Sequence, residues 1–197
     1  FDHAVTVSDD ISGVVNGNVV VNGSLTVDTT LEIYGNLTVL GGDFTNTSSG
    51  ALTVHGDILL DGLDRTNMEC WVQGGTINAQ NFTVRNYNTS AGQPCNFSGA
   101  VTTSGDILIE NNAYIYVTGK DTVINADTLT QNSHGRIYSS NYLVDLTLNI
   151  TEIDLNTGRY ILPSDLTINA TNINVDGTSL IQGNGRGCPE LQGSDGA

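Results

Sequence analysis

Between Gly17 and Gly62 the chain repeats one short phrase: a Gly, then Asn or Asp, then an alternating apolar run. It stands as Gly17-Asn18-Val19, Gly35-Asn36-Leu37 and Gly56-Asp57-Ile58, and returns as Gly105-Asp106-Ile107. Repetition at a near-constant step restricts the fold more than composition does, because each repeat must bury the same face against its neighbours. Inside the stretch the apolar residues pair two apart: Val19 with Val21, Leu25 with Val27, Leu31 with Ile33, Leu37 with Val39, Leu52 with Val54, Ile58 with Leu60. Strands place such pairs on one face. The intervening Thr26, Glu32, Thr38 and Thr53 are polar, as a half-buried strand with a wet outer face requires.

Aligned along the whole chain, the phrase falls at Asn18, Asn36, Asp57, Asn81, Asp106, Asn125, Asp145 and Asp165, in steps of 18, 21, 24, 25, 19, 20 and 20. A step near 21 is one coil of a parallel β-helix, in which each coil supplies two or three short strands and stacks on the last at ~4.8 Å. The fold class expected is therefore all-β, a parallel β-helix (solenoid) of about 8 to 9 coils of roughly 18 to 25 residues. Right-handed winding is the preferred reading. The six-residue steps from Val19 to Val39 keep a left-handed hexapeptide helix of about 18 residues per coil open. Residues 1–180 form the helix in this reading, and 181–197 a Gly-rich loop or crossing.

A second phrase, apolar-Thr-apolar, recurs at Thr26, Thr38, Thr53, Thr83, Thr147 and Thr167. Those that begin at the first phrase are expected to stack their Thr residues in an external ladder. From Tyr142 to Val175 the alternation is dense and Gly is scarce, which predicts the best-packed segment. Tyr114 and Tyr116 share a strand face and are expected to form an exposed aromatic pair. Trp71, the single Trp, is read as packing over an apolar edge.

The balance of 6 Lys and Arg against 21 Asp and Glu gives a formal charge of −15. It argues against nucleic acid and anionic membrane surfaces as partners. An acidic surface can take up cations such as calcium, but the residues name no calcium site, and no cofactor other than N-linked glycans is expected. No run reaches the ~20 apolar residues of a membrane span. The chain opens on Phe1 inside a strand-like pattern and closes on a Gly-rich run, so an interior piece of a longer or processed protein is expected.

The pattern loosens between Asp61 and Gly75 and again between Arg85 and Gly99, the coils with the longest steps, so extra residues are expected to bulge at one corner. Cys70 follows Asp57 at nearly the same interval as Cys95 follows Asn81. Nearly equivalent positions in successive coils fall within the Cα range that a disulfide accepts. A Cys70–Cys95 bridge is predicted, and with it an oxidising compartment. Cys188 is left over and is expected to pair outside this segment.

Eight Asn-x-Ser/Thr sequons are present, at Asn22, Asn36, Asn46, Asn81, Asn88, Asn96, Asn149 and Asn169. In an extracellular setting they are N-glycosylation acceptors. Asn36 and Asn81 sit on the repeated phrase, where an inward-turned amide ladder would withhold them from a glycan. Asn46, Asn88 and Asn96 lie in turn-rich segments and read as the most accessible.

Catalytic chemistry finds thin support. Asp57 and Asp61, and Asp106 and Glu110, place acids at either end of one strand in GDILLD and GDILIE. Arg65, Arg85, Lys120, Arg136 and Arg159 are scattered in phase, His55 and His134 have no evident partner, and His55 reads as a turn residue. A basic residue among clustered carboxylates, which a polysaccharide-cleaving site needs, is not apparent. The chain is read as no enzyme.

The recurring GNLTV and GDILL phrases, the many sequons and the closing NINVDGTSLIQGNGRG make the chain resemble the extracellular β-helix glycoproteins of algae and other protists, in particular mastigoneme (flagellar hair) proteins. Bacterial β-helix adhesins share these features. The resemblance implies an extracellular structural subunit whose partners are copies of itself or other chains of a fibre, in a filament or surface coat. Scarce Pro separates the chain from a hydroxyproline-glycosylated stem. An adhesin or carbohydrate-binding β-helix is the alternative, and a polysaccharide lyase or hydrolase the second.

Overall fold

The computed structural model describes residues 5–7, 13–63, 70–87, 94–132, 134–139, 144–156, 160–162 and 165–182. Short alternating runs separated by Gly, Asn and Asp become short strands, three to a repeat. The first repeat holds β1 (Val5–Val7), β2 (Gly13–Val15) and β3 (Val19–Val21), and the second β4 (Leu25–Val27), β5 (Thr30–Ile33) and β6 (Leu37–Leu40). There follow β7 (Phe44–Asn46), β8 (Ala51–Val54) and β9 (Ile58–Asp61), then β10 (Cys70–Val72), β11 (Thr76–Ala79) and β12 (Phe82–Arg85). Next come β13 (Cys95–Phe97), β14 (Ala100–Thr103) and β15 (Asp106–Glu110). Beyond these the repeats carry two strands: β16 (Tyr114–Val117) with β17 (Thr122–Gln131), β18 (Arg136–Tyr138) with β19 (Asp145–Leu155), β20 (Tyr160–Leu162) with β21 (Asp165–Val175), and then β22 (Leu180–Ile181). Of the Gly-rich crossing expected over 181–197, Ile181 belongs to β22, and the residues past Gln182 lie outside the described residues.

Every described strand pairing is parallel, and strands pair across repeats rather than within them. One sheet runs β1-β4-β7-β10-β13-β16-β18-β20-β22. The other has two limbs, β2-β5-β8-β11-β14 and β3-β6-β9-β12-β15, which meet on β17 and continue through β19 and β21. The protein is a parallel β-solenoid, as its repeat implies. Cα pairing leads from Val19 through Leu37, Ile58 and Phe82 to Ile107, so the register reproduces the ruler read from the phrase.

The core is a set of inward columns, one per face. Leu37, Ile58, Phe82, Ile107, Leu129 and Ile153 stack on one, and Leu31, Leu52, Ile77, Val101, Ile124 and Leu148 on another, all buried. In parallel stacks like residues lie over like, so each coil completes the burial of the last. Tyr87 braces the interior: its phenol donates to the carbonyl of Gly42, 2.9 Å away, and burial raises its pKa.

The repeated phrase has a physical reason. A Cβ on Gly35 would collide with the backbone of Gly17, and one on Gly56 with Asn36 Oδ1 and the backbone of Gly35. The corner can stack closely because the residue before the Asn or Asp lacks a side chain. Asn18 Oδ1 then accepts the Asn36 backbone N–H at 2.9 Å, Asn36 Oδ1 accepts that of Asp57 at 2.9 Å, and Asn81 Oδ1 that of Asp106 at 2.8 Å. Each side chain satisfies a backbone donor that the turn leaves out of the ladder.

After Asp106 the corner changes. The residue stacked on Asp106 is Thr128, in the second half of β17, while Asn125 pairs with Thr102 on the neighbouring face. Asp145 and Asp165 stack on each other at the start of β19 and β21, also on that face. The sequence alignment at Asn125, Asp145 and Asp165 thus slipped by one side of the solenoid. No Gly breaks Asn125-Ala126-Asp127-Thr128, so β17 runs past the position where β14 and β15 are separate strands. The Thr residues likewise divide among faces: Thr26 stacks on Thr45 and Thr147 on Thr167, but Thr38 and Thr83 are separated by Leu59.

The segment Tyr142 to Val175 is not uniformly the best packed. β19 buries alternate residues, but in β21 Ile173 and Val175 are 46% and 43% exposed. β19 lies between β17 and β21, whereas among the described strands β21 pairs with β19 alone.

Candidate functional site

The long connections fall as expected, both at one corner, from β9 to β10 and from β12 to β13. Cys70 and Cys95 are direct Cα partners of β10 and β13, and they are joined by a disulfide with their Cα atoms 4.3 Å apart. Both point inward and are fully buried, in the column that also holds Phe44 and Ile115. A structural disulfide is consistent with an oxidising, extracellular compartment. Cys188 lies outside the described residues.

The sequons divide by exposure. Asn22, Asn36, Asn149 and Asn169 are exposed, Asn81 is half-buried, and Asn88 lies outside the described residues. Asn46 is fully buried and Asn96 is 5% exposed, contrary to the accessibility that their turn-rich context implied. Asn46 stands in the inward column between Val27 and Val72, where its Nδ2 donates to the carbonyls of Gly50 (3.4 Å) and Thr76 (3.3 Å). Asn96 Nδ2 donates to the carbonyl of Pro94 at 3.1 Å.

The ladder expected at Asn36 and Asn81 exists, but it is carried on the exposed corner. Asn36 accepts through its Oδ1, whereas Asn81 also donates Nδ2 to Asp57 Oδ1 at 2.7 Å. A second ladder climbs the outer face of the later repeats. Asn125 Nδ2 donates to Thr102 Oγ1 (3.0 Å), Asn149 Nδ2 to Asn125 Oδ1 (2.8 Å) and Asn169 Nδ2 to Asn149 Oδ1 (2.8 Å).

Several groups that the sequence left unpartnered are joined by the register. Asp61 and Arg85 are Cα partners, as are Arg85 and Glu110. Asp61 is nearly fully buried; its Oδ2 accepts Arg85 Nε at 2.8 Å, and its Oδ1 accepts Asn86 Nδ2 at 2.7 Å and the Leu63 backbone N–H at 2.9 Å. Burial by itself would raise the Asp61 pKa, but those hydrogen bonds and the guanidinium hold it below the usual aspartate value. Arg85 Nη1 stands 3.9 Å from Glu110 Oε1.

His55, read as an unpartnered turn residue, stacks on Tyr34 with ring centroids 4.2 Å apart, and its Nε2 lies 2.8 Å from Glu32 Oε1. Hydrogen bonds from His55 and Tyr34 lower the Glu32 pKa, and that to Glu32 raises the pKa of Tyr34.

The aromatic pair is a cluster and is half-buried. Tyr138 meets Tyr114 and Tyr116 at 5.9 and 4.9 Å, and the Arg136 guanidinium lies 5.1 Å over the Tyr114 ring. Trp71 is half-buried in the outward column that leads through Asn96 to Tyr116.

Among the described residues no group of three or more His, Cys, Asp or Glu is placed to hold a metal ion, and no helix is long and apolar enough to cross a membrane. Comparison with protein-family models, curated proteins and solved structures finds no match to the chain.

Proposed function

We propose that this chain is part of an extracellular, N-glycosylated structural protein, a β-solenoid segment of a filament or surface coat with no catalytic role. The observation that carries the reading is the disulfide placed inside an unbroken parallel stack: the register continues from Val5 to Ile181, and a covalent bond joins the two coils that bear the long corner connections. Such a stack is stiff along its axis because every coil is hydrogen-bonded to the next. Its partners in this reading are copies of itself or other chains of a fibre.

The exposed sequons support a sugar-coated exterior. Asn22 and Asn36 are exposed on the early coils, and Asn149 and Asn169 on the later ones. The same exterior suits the mastigoneme-like resemblance.

The test is secretion of the chain from eukaryotic cells, with peptide mapping before and after glycosidase treatment and electron microscopy of the native particle. Modification at exposed sequons together with filaments is the expected result. A chain bare at every sequon, or native material present only as dispersed particles, would sink the proposal. Release of reducing or unsaturated sugars from pectin-like polymers would remove its non-catalytic part.

A further inference from the structure

On the outer face of β9, β12 and β15, continued by β17, lies a groove of about 540 Å³. Its floor is one outward column, Leu59, Thr83, Leu108 and Thr130, stacked in register and alternating isobutyl with hydroxyl from coil to coil. One rim is the corner of the repeated phrase, with Asp57, Asn81 and Asp106. The other is Arg85 with Glu110.

The lining restricts what can lie there. Asp57 and Asp106 are exposed carboxylates, two coils apart, ~10 Å from the stacking distance. With Glu110 they present acceptors that repel an anionic ligand in a chain of charge −15. The guanidinium opposite is tied through Nε to Asp61 at 2.8 Å and stands 3.9 Å from Glu110, so its charge is offset by two carboxylates. A fitting ligand is long and narrow, carries donors rather than negative charge, and turns apolar C–H surface towards the two leucines.

We infer that this groove binds a neutral glycan chain. The groove runs along the stack, hydroxyls on the sugar edges donate to Asp57, Asp106 and Glu110, and pyranose C–H faces lie on Leu59 and Leu108. Hydroxyl-to-carboxylate hydrogen bonds are about twice as strong as neutral ones. A cationic peptide answers the carboxylates too, but it finds no backbone partner on a face whose amides and carbonyls are spent in the sheet. The site is separate from the sequons' own glycans except at Asn81, a rim residue whose Nδ2 is bonded to Asp57.

The chain is secreted to a bacterial periplasm, where Cys70 and Cys95 can oxidise and no sequon is modified. Calorimetric titrations use cellohexaose, mannohexaose and laminarihexaose as neutral probes, oligogalacturonate as the acidic one and tetralysine as the cationic one. At least one neutral hexasaccharide is expected to bind, with oligogalacturonate at least tenfold weaker. Asp106→Ala weakens it about tenfold, the loss of one charge-assisted hydrogen bond. Leu108→Lys abolishes it, and Thr26→Lys, on another face, leaves it unchanged. Thermal melts of the three variants establish that each is folded. No binding of any neutral probe, tighter binding of oligogalacturonate or tetralysine, or equal loss in Thr26→Lys would each overturn the inference.

Discussion

The side-chain amide of Asn46 donates across a coil boundary to the carbonyl of Thr76, 3.3 Å away, from a position with no exposed surface. Removing that donor takes away two side-chain hydrogen bonds made from a fully buried position, although the Gly50 carbonyl keeps the Thr76 backbone N–H at 3.1 Å, at a cost of about 1 kcal/mol. Asn46→Ala is expected to lower the denaturation midpoint accordingly. The same burial predicts that peptide mapping of secreted protein finds Asn46 bare while exposed sequons are modified; a glycan on Asn46 of the folded protein would contradict the enclosed amide.

The disulfide closes a loop between residues 25 apart in sequence. Loop-closure entropy assigns such a bridge about 3 kcal/mol. The double variant Cys70→Ala/Cys95→Ala should melt at a lower temperature than the oxidised parent and become insensitive to reductant. Equal melting of oxidised and reduced parent would remove the clamp's energetic role.

Asp61 links stability to pH. Its folded pKa lies below the unfolded value, so its contribution is complete above the ordinary aspartate range and is lost as pH falls through the lower folded value. Asp61→Asn removes the carboxylate while Arg85, a third exposed and still beside Glu110, stays, and a loss of about 1–2 kcal/mol near neutrality is expected. The gap between parent and variant should shrink in acid, as followed by urea titrations at a series of pH values. A gap that does not change with pH would show that Asp61 acts through packing alone.

Gly42 sits where its α-carbon faces the backbone of Gly23 one coil away, so that a Cβ would overlap the Gly23 carbonyl and the Ser24 nitrogen. Neither obstacle is the tip of a flexible side chain. Gly42→Ala must therefore separate two stacked coils, and a loss of several kcal/mol is expected, against at most a few tenths for Gly177→Ala, whose Cβ meets open space.

Asn36 separates two roles that one residue can hold. Asn36→Asp keeps an acceptor for the Asp57 N–H while removing the sequon, and Asn36→Ala removes both. Thermal melts should place the Asp variant near the unglycosylated parent and the Ala variant about 1 kcal/mol below it. Equal loss in both would deny the corner hydrogen bond its part.

The solenoid and its bridge were legible because both follow from counting. The steps between successive phrases from Asn18 to Asp106 are the Cα register itself, and Cys70 and Cys95 inherit their pairing from it. Counting failed beyond Asp106, where the Gly-bearing corner vanishes and Asp145 and Asp165 resume the phrase on a different face. Asn46 was misjudged by composition, although parity held the answer: Phe44 points inward, so the residue two further along shares its face. The Asp61, Arg85 and Glu110 set looked scattered because each member sits a full coil from the next, and only a coil-by-coil alignment stacks them. The groove was the least visible, since its floor draws one outward residue from each of four repeats.

The buried bridge also sets how the rod gives way when pulled from its two ends. Each coil peeled from the stack releases its own contour length, so extension proceeds as a series of separate yields. The 25-residue span from Cys70 to Cys95 is held back, ~85 Å of chain that tension cannot draw out until the sulfur bond is cut. Reducing conditions would thus lengthen the fully stretched molecule by that amount, making this protein's maximum reach a property of its redox surroundings.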